Sequence, residues 1–300
     1  MKGKRFIDLH THGIGRYDTR TGEPGDILKM AELHGMAGTG VILPTIYSGA
    51  VDEMRKNMET VKKAMEMQRL AEEAGISEIT PARDHVPALI LGVHLEGPFL
   101  NPVRCGALDG SSFEKPSISN LKKLIEGYED IIKIITVAPE ISGALKVTER
   151  CVELGMRVNM GHSDATYQQA ADGKKAGASG ITHIFNAMRP FHHRDPGLAC
   201  LGLLDMDLYI EVIADGIHLH PRTLELVFNL KRLDRIILVT DSVKSPKTGR
   251  GAVLNSRGFL SGSSISMLDS VKILRDINIT DAEIIEAARD NPARYIGSGL

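Results

Sequence analysis

Thr182-His-Ile-Phe-Asn-Ala-Met-Arg-Pro-Phe-His-His-Arg-Asp-Pro-Gly197 decides how the rest of the chain is read. The short apolar run Ser179-Gly-Ile-Thr182 leads into it and delivers His183 at its end. The same placement recurs along the chain. His10 and His12, Glu96, His162, His218 and Asp241 each stand just past an apolar run. One polar residue at one strand end means little. The same pattern on strand after strand means that the strand ends converge on one place.

Eight apolar runs read as strands: 6–10, 41–45, 88–96, 131–138, 157–161, 179–182, 208–214 and 235–240. Helical sequence alternates with them, at 27–36, 51–74, 141–154 and 165–176. Ser163 or Asp164 is the expected cap of the last of these. In 51–74 the residues Val51, Met54, Met58, Val61 and Met65 recur every three or four positions, the stripe of a helix face packed on a core. A hairpin is expected over 252–260, then helices over 265–276 and 281–289. Alternating strand and helix implies parallel strands with helical crossovers. Eight units in 300 residues imply an α/β chain folded as a closed (β/α)8, TIM-like barrel, with residues 1–300 as a single domain. Working residues of such barrels stand at the C-terminal ends of the strands, where every residue named above falls.

Composition narrows the function classes. Lys and Arg number 36 against 38 Asp and Glu, a net charge of -2 spread along the chain. That removes the electrostatic case for nucleic acid or an anionic membrane as main partner. No apolar run approaches the ~20 residues of a membrane span. Cys105, Cys151 and Cys200 are widely spaced and form no CxxC pair, so a reducing, cytoplasmic setting is expected. Trp is absent, which excludes a Trp platform for stacking sugars.

Four histidines and two carboxylates at one barrel mouth suit a divalent metal, zinc first, with iron or manganese as alternatives, as one ion or two. A metal with an open position lowers the pKa of bound water to about 7. Asp241, at the end of the last strand, is placed to take and return a proton. No Lys ends the fourth strand, so Glu96 is the better bridge between two ions. A lone His near a strand end is more often structural than a ligand, and His34, His85 and His220 are left in that class. His192 and His193 stay open between the two readings. Asn186, Ala187 and Arg194 suit an anion through backbone N–H groups and a guanidinium. The bland alternative for Arg194 is a surface ion pair with Asp195.

At this point the chain resembles the N-acetylglucosamine-6-phosphate deacetylases of the amidohydrolase superfamily. The resemblance is carried by Ile7-Asp-Leu-His-Thr-His-Gly13, His94-Leu-Glu-Gly-Pro-Phe-Leu-Asn101, Gly161-His-Ser-Asp-Ala-Thr166, Thr182-His-Ile-Phe-Asn-Ala-Met188, Ile213-Ala-Asp-Gly-Ile-His218 and Val239-Thr-Asp-Ser242, in family order over nearly the whole chain. It implies that Glu96, His162 and His183 hold the principal metal, and that His10 and His12, with Asp241, build a second site. It implies Asp241 as catalytic acid/base and His218 as a catalytic residue that contacts the substrate. Ala107, Asn186, Ala187, Arg194, Asp215, Leu260, Ser261 and Gly262 match substrate-side positions. In the family the arginine matched by Arg194 can come from a neighbouring subunit, which implies a homodimer.

Two departures stand out. Leu108 occupies the position of a substrate-contacting family His, which leaves the exact substrate open. The family's small accessory β-sandwich has few residues here to build it, so a barrel-only member is expected. The expected reaction is metal-dependent deacetylation of an amino-sugar phosphate to the amine and acetate. Another N-acyl sugar phosphate, a cyclic amide, or a non-catalytic ligand-binding barrel are the competing readings.

Overall fold

The computed structural model describes residues 5–74, 86–245 and 251–297. Eight parallel strands follow one another around a sheet: β1 Phe6–Thr11, β2 Thr39–Ile46, β3 Val93–Glu96, β4 Ile132–Val137, β5 Arg157–Met160, β6 Gly180–Ile181, β7 Tyr209–Ile213 and β8 Ile236–Val239. The order is sequential, as right-handed crossovers through helices require. The seam between β8 and β1 is closed just past the strand ends. Asp241 N–H donates to the His10 carbonyl at 2.9 Å, and His12 N–H to the Ser242 carbonyl at 2.8 Å. Buried Asp8 closes it lower down, accepting from Thr240 N–H at 3.2 Å and Thr240 Oγ1 at 2.6 Å.

The strand residues sort by parity, because alternate side chains leave a strand on opposite faces. Ile42, Ile210, Val212, Ile236 and Leu238 pack outward under the helices. Val41, Leu43, Ile213, Ile237 and Val239 meet inside, with Tyr295 of the closing helix α10 (Asn291–Ile296) among them. Above that apolar layer the interior turns polar: His94, Thr136, Asn159 and Glu211 are all fully or almost fully buried. Gly180 makes room for this layer. A Cβ there would meet Asn159 Oδ1 at 2.2 Å and the Tyr295 hydroxyl at 2.5 Å.

Helix α2 (Val51–Glu73) buries Met54, Met58 and Val61, with Val51 and Met65 packed at the margin, as the stripe requires. The structure corrects one cap. The helix expected from 165 runs Tyr167–Lys175, and its cap is Thr166, in a reciprocal capping box with Gln169. Ser163 instead donates to Glu140 at 2.7 Å, and Asp164 pairs with Arg104 and Arg189. Three further helices, Ile118–Ile125, Gly197–Leu204 and Pro221–Leu230, complete the outer layer. The hairpin is Ala252–Leu254 with Leu260–Ser263, beside the barrel mouth. None of the helices among the described residues is long and apolar enough to cross a membrane. His85 lies outside the described residues.

One of the clamps that hold the closing helix on the barrel is a buried amide. Asn291 Nδ2 donates to the carbonyls of Leu233 and Ile236, at 2.7 and 2.8 Å, where β8 begins. Asn291→Leu leaves both carbonyls short of a donor and should cost about 2 kcal/mol. Urea unfolding would read this, and a variant as stable as wild type would remove Asn291 from its clamping role.

Candidate metal centre and substrate cavity

The predicted residues converge. Glu96, His162 and His183 bring three ligand atoms together: Glu96 Oε1 is 3.0 Å from His162 Nε2 and 3.2 Å from His183 Nε2, which are themselves 3.2 Å apart. A second trio lies alongside. His10 Nε2 is 3.3 Å from His12 Nε2, and Asp241 Oδ1 is 3.4 Å from the first and 3.5 Å from the second. Glu96 joins the trios, since its Oε2 lies 3.3 Å from His12 Nε2.

Hydrogen bonds on the far side of the rings assign their nitrogens. His162 Nδ1 donates to the Arg104 carbonyl at 2.9 Å, and His12 Nδ1 to the Thr45 carbonyl at 3.1 Å. His10 Nδ1 donates to Glu211 at 3.1 Å. A neutral imidazole with its proton on Nδ1 has a lone pair on Nε2. Three such lone pairs therefore face one another and two carboxylates in a space that is almost wholly buried. That donor set of imidazole nitrogen and carboxylate oxygen fits zinc, or iron and manganese. His183 Nδ1 is buried and has no hydrogen-bond partner among the described residues.

The electrostatics follow from burial. It holds the His10 imidazole well below its usual range, hence neutral. Burial also raises Asp241, and the nearby carboxylates Glu96, Glu211, Asp8 and Asp215 push it further, well above the carboxylate range. Glu96 suffers the same burial, but His162 and His12 outweigh it and hold it well below that range.

The backbone is strained at the same residues. His162, His183 and Asp241 have φ of 46°, 29° and 45°, and Phe185 and Ala187 have 73° and 48°. Non-glycine residues rarely adopt these values, and they persist where surrounding structure over-determines them, typically at functional sites.

A cavity of about 370 Å³ opens above the two trios. Asn186, Ala187 and His218 line one side, and Ala107, Leu108, Leu260 and Ser261 another. Asp215 stands behind His218 instead of on the wall. It accepts from His218 Nδ1 at 2.6 Å and from the backbone N–H of Ile217 and His218. These bonds hold the carboxylate below its usual range against the cost of burial. Gly262 is also off the wall, packed against the Asp241 carbonyl, where a Cβ would come within 2.5 Å.

Arg194 is not brought to the cavity. It is exposed on the loop after β6, with Nη1 3.0 Å from His193 Nε2. Its expected alternative partner is also corrected, because Asp195 pairs with Arg189. His34 sits buried under β1, 3.0 Å from Thr11 Oγ1, and His220 caps the helix Pro221–Leu230, so both are structural.

Two participants escaped the sequence reading. Tyr47 stacks on His12 with ring centroids 3.8 Å apart. Glu211 lies behind His10; a carboxylate inside the apolar run 208–214 was the available signal.

Residues 6–299 match the Amidohydrolase family. The chain is 32% identical to the N-acetylgalactosamine-6-phosphate deacetylase of Escherichia coli O157:H7, over 97% of this chain and 77% of that one. It is equally 32% identical to the N-acetylglucosamine-6-phosphate deacetylase of Lysinibacillus sphaericus, over 97% and 75%. Among solved structures, the N-acetylglucosamine-6-phosphate deacetylase of Thermotoga maritima superposes with a TM-score of 0.81 at 27% identity, covering 97% of this chain and 78% of that one. The enzyme of the same name from Mycobacterium smegmatis gives 0.83 at 25%, covering 98% and 78%. By sequence and by fold, the chain belongs to the amidohydrolase superfamily and, within it, to the N-acetylglucosamine-6-phosphate deacetylase family.

Proposed function

We propose that this chain, a single barrel domain, hydrolyses the N-acetyl bond of an amino-sugar 6-phosphate, giving the free amine and acetate. The observation that carries the reading is the buried convergence of imidazole lone pairs on Glu96 and Asp241 at the floor of a cavity. Glu96, His162 and His183 would hold one divalent ion, and His10, His12 and Asp241 a second, with Glu96 shared. Zinc is the first choice, then iron or manganese. An ion there supplies Lewis acidity toward the acyl carbonyl and lowers the pKa of a coordinated water.

The chain's own groups supply the rest. Asp241 takes a proton from the attacking water and delivers it to the departing amine. His218, its Nδ1 anchored on ionised Asp215, presents Nε2 to the carbonyl oxygen and stabilises the charge that develops there. Leu108, Phe259 and Leu260 give the wall an apolar side for the acyl methyl and the sugar's carbon face. Asn186 and Ala187 face the phosphate. Exposed Arg194 serves the cavity of a neighbouring copy in a homodimer, and a cytoplasmic setting suits a phosphorylated substrate.

The direct test is amine release from N-acetylglucosamine 6-phosphate and its galactosamine epimer by zinc-loaded protein. Asp241→Asn should lower turnover by about 100- to 10,000-fold, the usual worth of a general acid–base. Metal-loaded protein that turns over neither epimer would discard this substrate class. Glu96→Gln should empty both ion sites in elemental analysis of the dialysed protein; retention of two ions would deny Glu96 the bridging role. For Arg194, the check is complementation. Arg194→Ala should raise KM, and mixing it with Asp241→Asn subunits should restore wild-type KM in hybrid dimers. Mixtures no better than their parents would place the arginine's action within its own subunit.

A further inference from the structure

Behind His10 a line of buried polar groups runs down through the barrel. His10 Nδ1 meets Glu211 Oε2 at 3.1 Å. Glu211 Oε1 accepts from Asn159 Nδ2 at 2.8 Å. Asn159 Oδ1 accepts from the Tyr295 hydroxyl, which lies 3.1 Å from Ser179 Oγ. His10, Asn159, Glu211 and Tyr295 are each no more than 1% exposed. Four elements thus contribute to one line: β1, β5, β7 and the closing helix α10.

His94 is the nearest competitor for Glu211, with Nδ1 4.0 Å from Oε1. It is already satisfied, because Nδ1 donates to the Leu9 carbonyl at 3.0 Å and Nε2 meets Thr136 Oγ1 at 2.8 Å. The grouping of His10, His94 and Glu211 is therefore a hydrogen-bonded one, and both Glu211 oxygens are committed as acceptors, one to His10 and one to Asn159.

Burial pushes Glu211 above the usual carboxylate range, but Asn159 Nδ2 and the His183 backbone N–H donate to it and favour the ionised form, which offers only acceptors. Facing Nδ1, it requires the His10 proton on that nitrogen and leaves the lone pair on Nε2. That lone pair lies 3.3 Å from His12 Nε2 and 3.4 Å from Asp241 Oδ1. We propose that Glu211 is a positioning residue that fixes the tautomer and ring orientation of His10, and through it decides whether the His10, His12 and Asp241 trio holds an ion. In the trio of Glu96, His162 and His183, Glu211 meets the backbone N–H of His183 rather than its ring, and the ring of His162 is oriented by the Arg104 carbonyl. The inference rests on the metal reading of the site given above.

The test uses the full chain and two substitutions. Glu211→Leu removes the acceptor at similar volume. It should weaken binding of the second zinc ion by about 10- to 100-fold, the usual effect of losing a ligand's orienting partner. The first ion, bound by the Glu96 trio, should stay and serves as the control for folding. Glu211→Gln keeps a carbonyl for Nδ1 and should restore the second ion. If Glu211→Gln fails as Glu211→Leu does, the carboxylate acts through its charge and the positioning role is overturned. Retention of both ions in Glu211→Leu overturns it as well. A readout independent of metal is the ¹⁵N imidazole spectrum of metal-free wild type. The His10 signals should show the proton on Nδ1, and a proton on Nε2 would overturn the inference even if Glu211→Leu does not fold. Wild type that binds a single zinc ion while showing the Nδ1 tautomer would instead defeat the second-site reading, and with it the consequence proposed for Glu211.

Discussion

Three imidazole lone pairs and two carboxylates face one another at the almost wholly buried floor of a cavity, and the rest of the molecule is arranged around that conflict. The proton positions are not free to relieve it, because each assigned ring spends its N–H outward, on Thr45, Arg104 or Glu211. An unsatisfied buried polar group costs about 1–3 kcal/mol, more when charged. His183 and a protonated Asp241 are the donors left in the cluster, too few for its acceptors, so the same atoms are better satisfied around a cation. The strongly raised Asp241 carboxyl is the same conflict seen from one member. A bound cation would invert that local logic by becoming the largest charge in the site.

Holding such a cluster needs a frame that does not relax. Left-handed φ at His162, His183 and Asp241 adds strain of about 1–3 kcal/mol per residue. The barrel supplies the resistance. Each of these residues is the second past its strand; β5 and β6 are laddered on both sides, β8 is laddered to β7, and Asp241 is bonded to β1 through the His10 carbonyl. Below, the apolar layer capped by Tyr295 ties β1, β2, β4, β7 and β8 into one packed unit. Rigidity at the floor lets strain accumulate at the rim.

Much of this was legible in the sequence because two periodicities coincide with chemistry. Val, Ile and Leu runs of strand length mark β2, β4, β7 and β8, and a polar residue at the end of a run marks the barrel mouth. The helices Ile118–Ile125, Gly197–Leu204 and Pro221–Leu230 were less visible. The first and third are short amphipathic segments, and the second is apolar on nearly every side. The Thr166 cap was missed because Ser163 and Asp164 are equally good cap types, and only tertiary partners divert them. Glu211 was hidden for a related reason. Local sequence shows a polar interruption of a strand, whereas its meaning depends on β1 and β5 arriving on either side of it.

The placement of charge in the cavity constrains how a phosphorylated substrate can sit. Two carboxylates occupy the floor, and the lining residues include neither Lys nor Arg. Under the proposed function the floor belongs to the ions and the acyl group, so the phosphate lies toward the walls, where the described lining residues offer it no formal positive charge. The proposed polarity is then anion at the rim beside Asn186 and Ala187, acyl group inward, toward the trios. Arg257 stands by that rim, its Nη2 3.2 Å from the Leu108 carbonyl, while the loop that follows Ala187 carries Arg194 into solvent. The homodimer proposed above would bring Arg194 of a second copy to the same rim. Assembly would then contribute the charge for binding, while the chemistry stays within one barrel.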